Sequence, residues 1–178
     1  MRAPNRLAAA LALGLLASGT AAASEGAGAT DDAGAFVSAM GGTWTGRGTV
    51  LPSFEQETPF RVKCEFEVSD DGTDFVIDGE CGALFVKRRI NVTLQDTDGD
   101  IEGTYEAGLR TGMATLSGTR DGPTIDLEVT WGGEVNGDTE GTMLIERVNE
   151  DALRIVFRDM NPATGQDEIT SEFELQRG

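Results

Sequence analysis

Three groups of residues have the types and spacing that chemistry needs. Lys87, Arg88 and Arg89 form the one basic run in an acidic chain. In the stretch "LFVKRRINVTL" Arg88 shares parity with Leu84, Val86, Ile90, Val92 and Leu94, so simple alternation points it inward. A buried guanidinium needs a carboxylate partner or an anionic ligand. A bulge near Gly82, or a strand end where Arg88 reaches solvent, would serve the same residues. Asp96, Asp98, Asp100 and Glu102 lie along "DTDGDIE". Hard cations such as calcium want several carboxylate oxygens. Gly99 stands between the second and third acid, however, where an EF-hand places its glycine after the third. A plain Asp-Gly hairpin turn explains the same string. Trp44, Tyr105 and Trp131 are large amphipathic rings that can line a pocket or simply fill a core.

Other chemistry is excluded by what is missing. The chain has no histidine. That removes Ser-His-Asp and Cys-His catalysis, histidine metal ligation and an axial histidine for haem. Two cysteines without histidine make a poor zinc site. No nucleophile elbow, phosphate-binding loop or dinucleotide fingerprint is present. Carboxylates are abundant, and nothing marks two of them as an acid/base couple. A non-enzymatic protein without a cofactor is expected.

The elements that must position these residues begin after a leader. Arg2 and Arg6 precede an apolar core of about eleven residues, too short for the roughly twenty of a membrane span. Ala21 and Ala23 sit at the minus-three and minus-one sites of a cleavage point before Ser24. Residues 1–23 are therefore expected to be a secretory signal, and the protein periplasmic or secreted. No later stretch is apolar enough to insert in a membrane. A mature chain of about 155 residues suits one domain. The full chain carries a net charge of −17; removing Arg2 and Arg6 leaves 12 basic against 31 acidic residues. Such a surface disfavours nucleic acid and anionic lipid, since phosphate contacts need Lys and Arg. A soluble monomer is expected.

Residues 24–33 ("SEGAGATDDA") read as a flexible acidic segment, with one short helix over Asp31 to Met40 stopped by Gly41 and Gly42. From there to 178 the chain reads as strands and turns. "FRVKCEFEV" puts Phe60, Val62, Cys64, Phe66 and Val68 on one face. "TIDLEVTW" does so with Ile125, Leu127, Val129 and Trp131, and "ITSEFEL" with Ile169, Phe173 and Leu175. Period two with one apolar face means half-buried antiparallel strands. If the hairpin folds about "DDGTD", five inward pairs fall into one register: Cys64 with Cys81, Phe66 with Gly79, Val68 with Ile77, Val62 with Ala83 and Phe60 with Phe85. A Cys64–Cys81 disulfide between neighbouring strands would close a loop of about 18 residues and contribute about 3 kcal/mol. The fold class is all-β: a single antiparallel up-and-down barrel of about eight to ten strands with a short N-terminal helix. A two-sheet sandwich is the alternative.

Gly42-Thr43-Trp44 at the head of the first strand resembles the G-x-W of the calycin group, which includes lipocalins, avidins and fatty-acid-binding proteins. The resemblance implies a Trp44 that plugs one barrel end beneath the helix. It also implies a ligand-holding lumen in which an arginine anchors an anionic group. Gly42, Trp44, Gly46 and Gly48 are similar to the G-x-W-x-G-x-G of nitrobindin-like ten-stranded barrels, whose haem histidine this chain lacks. Small periplasmic inhibitors of metalloproteases share the G-x-W start and an early disulfide, and use an N-terminal segment to enter the protease. The leading expectation is a barrel binding a small lipophilic or anionic ligand through Trp44, Arg88, Tyr105 and Trp131. The alternatives are a protein-interaction module acting through its N-terminal segment and a packed barrel with no ligand.

Overall fold

The computed structural model describes residues 28–56, 58–70, 74–108 and 111–178. The expected signal at 1–23 and the first part of the acidic segment, 24–27, lie outside them. Helix α1 (Gly28–Met40) starts inside that segment, three residues before the expected Asp31. Ten strands follow: β1 (Gly42–Val50), β2 (Phe60–Asp70), β3 (Asp74–Ala83), β4 (Val86–Thr97) and β5 (Asp100–Glu106), then β6 (Ala114–Asp121), β7 (Thr124–Val135), β8 (Asp138–Asn149), β9 (Ala152–Asn161) and β10 (Gln166–Arg177). Each pairs antiparallel with the next, and β10 closes on β1. The molecule is an up-and-down barrel, and the sandwich does not form. Closure leaves no sheet edge exposed.

Alternation builds the wall. In β2, Val62, Cys64, Phe66 and Val68 are buried while Arg61, Lys63, Glu65 and Glu67 face solvent. Ile125, Leu127, Val129 and Trp131 do the same in β7. The expected hairpin register holds for Cys64–Cys81, Phe66–Gly79 and Val68–Ile77. The two cysteines are bonded. Phe66 covers Gly79 so closely that a Cβ there would stand 2.7 Å from the ring. The pairs Val62–Ala83 and Phe60–Phe85 do not form. The ladder ends at Lys63–Gly82, because the chain reverses at Leu84-Phe85 and Ala83 pairs with Val86 in β4 instead. Ile169 is a second correction. Expected inward, it is exposed, because a bulge between Ile169 and Ser171 shifts the parity of β10.

One end of the barrel is sealed. Phe36, Val37 and Met40 of α1 pack on Trp44, which is fully buried. The Trp44 indole donates its Nε1–H to the Met40 carbonyl at 2.8 Å. Arg177, the last residue of β10, donates to the carbonyls of Ala39 (2.6 Å) and Gly41, and its guanidinium lies 4.3 Å above the Trp44 ring. It thereby bonds carbonyls at and just past the helix end and ties α1 to the barrel. Gly48 leaves room for β10: a Cβ there would strike the Phe173 ring.

Candidate functional site

The other end is hollow. A barrel of ten strands has a wider bore than the eight that side chains comfortably fill. At the end away from α1 a cavity of about 530 Å³ remains. Its walls include Val62, Ile90, Tyr105, Trp131, Phe157 and Phe173. Among the described residues, two charged groups reach it, Arg88 and Asp159.

The aromatic side is built by parity on three strands. Tyr105 near the end of β5, Trp131 in β7 and Phe157 in β9 all point inward. Their rings meet in a cluster: Tyr105 and Phe157 at 5.2 Å, Tyr105 and Trp131 edge-to-face at 6.0 Å, Trp131 and Phe157 at 6.3 Å. Such contacts hold each ring in a fixed pose.

Asp159 holds this side together. Two residues beyond Phe157 on β9, it shares the inward parity and is buried. The β10 bulge turns Thr170 inward, and its hydroxyl donates to Asp159 Oδ2 at 2.5 Å. Trp131 Nε1 donates to Oδ1 at 3.0 Å. Gly141 makes this contact possible, since a Cβ there would lie 3.0 Å from Trp131 Nε1 and 2.9 Å from Asp159 Oδ1. Burial pushes the Asp159 carboxyl above its ordinary range, while hydrogen bonds from Thr170, Trp131 and Asn136 pull it back. Burial, and then the nearby Asp159 charge, also raise the Tyr105 hydroxyl.

Arg88 faces the bore, opposite Cys81, as alternation implied. It sits at the mouth because β4 begins only two residues earlier, and it is exposed. Its Nη1 donates to the Gly108 carbonyl at 3.0 Å. Among the described residues it has no carboxylate partner. A cation is therefore available at the rim of an apolar cavity.

The other expected site residues lie elsewhere. Trp44 is at the sealed end and lines no part of the cavity. The four acids of "DTDGDIE" are not brought together. Asp98 and Gly99 take positive φ values of 56° and 95° in the two-residue turn from β4 to β5. Asp96 points inward, where it pairs with Arg120 at 2.5 Å and accepts the Gly99 N–H at 2.8 Å. Asp100 and Glu102 face solvent. Among the described residues no group of three or more acidic or cysteine side chains is placed to hold a metal ion.

Phe157, Asp159 and Thr170 are among the cavity residues that the sequence reading did not name. A signal existed for two of them. In "RIVFRDM" Asp159 shares parity with Ile155 and Phe157, the same pattern that singled out Arg88. Thr170 carried none, because only the bulge turns it inward.

No protein-family model matches the chain, and no curated protein matches it. Among solved structures it is similar to the crystal structure of Rv2717c from M. tuberculosis. That likeness has a TM-score of 0.59 at 16% identity, over 80% of this chain and 94% of that one. At that identity the likeness speaks for the barrel fold and not for the calycin group that G-x-W resembles.

Proposed function

We propose that the chain is an exported, non-enzymatic barrel that binds a small apolar or amphipathic ligand in the open half of its lumen. The observation that carries this reading is the cavity of about 530 Å³ bounded by clustered aromatic rings, with the Arg88 guanidinium, which has no carboxylate partner among the described residues, at its mouth. Ligand pockets combine mostly apolar walls with a few placed polar groups. An apolar body would lie against Tyr105, Trp131, Phe157 and Phe173. An anionic end would meet Arg88 at the rim. Export is supported by the leader-like first 23 residues and by the Cys64–Cys81 bond, which persists in oxidising compartments.

Titration of the mature chain with 1-anilinonaphthalene-8-sulfonate, an aromatic body bearing one negative charge, tests the reading. Intrinsic fluorescence should be quenched saturably, because Trp131 lines the cavity. Trp131→Phe should remove most of that signal. Arg88→Ala should weaken binding about tenfold, or about 1.4 kcal/mol. Absence of saturable binding, or equal binding by a variant whose cavity is filled by Val62→Trp, would sink the proposal.

A further inference from the structure

Eight large apolar side chains stand exposed among the described residues, and their placement is uneven. Val148, near the end of β8, is the one at the sealed end. The other seven surround the open end. Phe60, Met113, Met160 and Ile169 sit at or beside the first or last turns of their strands there. Leu84, Phe85 and Val86 form the tip of the β3–β4 hairpin, and Leu84 and Phe85 are 98% and 100% exposed.

That tip breaks a rule that the rest of the barrel keeps. The other described two-residue turns use Asp98-Gly99, Gly122-Pro123, Asn136-Gly137 and Glu150-Asp151. Each is polar, or suited by glycine or proline to the backbone it adopts. Leu84 takes φ 54°, a left-handed conformation that costs a branched apolar residue energy and costs glycine nothing. Folding alone would favour Gly at this place. A strained residue that also exposes its whole apolar side chain to water points to a role outside the fold.

Charge beside the tip is also uneven, although Glu106, Glu134, Asp138, Glu140, Asp167 and Glu168 stand on the other strands at this end. Six of the chain's 14 Lys and Arg lie on β1, β2 and β4 beside the tip. Register places Arg47 opposite Lys63, Lys63 opposite Gly82, and Gly82 opposite Lys87 on the outer wall. Lys87 pairs with Glu80 and Arg89 with Asp78. Glu174 stands opposite Arg47 on β10. Arg61 and Lys63 hold no ion pair among the described residues.

We propose that the open end docks on a lipid bilayer bearing anionic headgroups, with Leu84, Phe85 and Val86 entering the headgroup–acyl boundary and Arg61 and Lys63 facing the phosphates. A narrow convex tip suits a deformable apolar medium, whereas a protein partner normally needs a broad flat patch. The average charge of the molecule disfavours anionic lipid, but screening limits that repulsion to about 8–10 Å at ordinary ionic strength, so the charges beside the tip govern contact. The tip adjoins the mouth of the cavity, since Ala83 and Val86 line it. The inference stands on surface observations and does not require the lumen to hold a ligand.

The test is flotation of the mature chain with vesicles of phosphatidylethanolamine plus phosphatidylglycerol, and of phosphatidylcholine alone. Wild type should float with the anionic vesicles, and high salt should weaken the association. Leu84→Gly/Phe85→Ser places glycine at the positive-φ site, so it should fold at least as well while losing about tenfold or more in partitioning. Arg61→Gln and Lys63→Gln should each cost about fivefold. Quenching of Trp131 by the soluble probe should be unchanged in the tip variant, because neither substituted residue lines the cavity, and this separates failure of docking from failure of lumenal binding. Wild type that ignores both vesicles, or a tip variant that floats equally well, overturns the proposal. A dimer in sedimentation that the tip variant abolishes would replace the bilayer by a second copy of the chain, and overturn it too.

Discussion

Asp159 shows how one residue can be costly to the fold and still shape the site. It is a buried carboxylate whose partners are neutral: a hydroxyl, an indole N–H and an amide. Its folded pKa is raised, so the fold prefers the protonated form. Stability from this group is therefore fully present below the ordinary carboxylate value and is lost as pH rises through the raised one. Asn at 159 keeps an acceptor for Trp131 and can donate to Thr170, but never charges. Asp159→Asn should thus be more stable than wild type at pH 8, by about 1 kcal/mol. The advantage should shrink as pH falls into the carboxylate range. Denaturant midpoints of both proteins at several pH values check this, and a pH-independent difference would refute it.

At the scale of elements, the β2–β3–β4 segment carries most of the architecture read in advance. Cys64 and Cys81 met because inward residues on both arms fell into one register about a turn signal, and three of five expected pairs form. Replacing both cysteines by alanine should cost about 3 kcal/mol in chemical denaturation, from the restored freedom of the closed loop. A loss below about 1 kcal/mol would show that the cross-strand pairs alone hold this hairpin. The two pairs that failed share one cause. Leu84-Phe85 reverses the chain without Gly, Pro, Asn or Asp, so composition announced a continuing strand where the backbone turns. Thr170 failed likewise, because a bulge shifts parity without marking the sequence.

Across the whole molecule, the two ends differ in how their interior is filled. Near α1, Trp44, Phe75, Leu94, Ile101, Ile125 and Ile145 are packed with almost no exposure, and Arg177 joins the helix to the barrel. At the far end the side chains leave about 530 Å³ of the bore unfilled. Local opening is cheapest where apolar contacts are fewest. Amide hydrogen exchange should therefore be slower in the α1-proximal halves of β3, β4, β7 and β8 than in their mouth-proximal halves. A lumenal ligand should slow the mouth selectively. Uniform protection along each strand would contradict the division.

The strands, most of their inward faces, the disulfide and the inward aim of Arg88 were legible in the chain itself, because a period of two is a local property that neighbouring residues report to one another. Depth along the bore is not local. Whether an inward residue lies at the floor, the middle or the mouth depends on where each strand begins and how ten strands stagger around the barrel. Tertiary structure alone therefore separated Trp44 from Tyr105 and Trp131, raised Arg88 to the rim and gave Asp159 its neutral partners. It also set Leu84 and Phe85 in the water beside the only end of the barrel that stays open among the described residues.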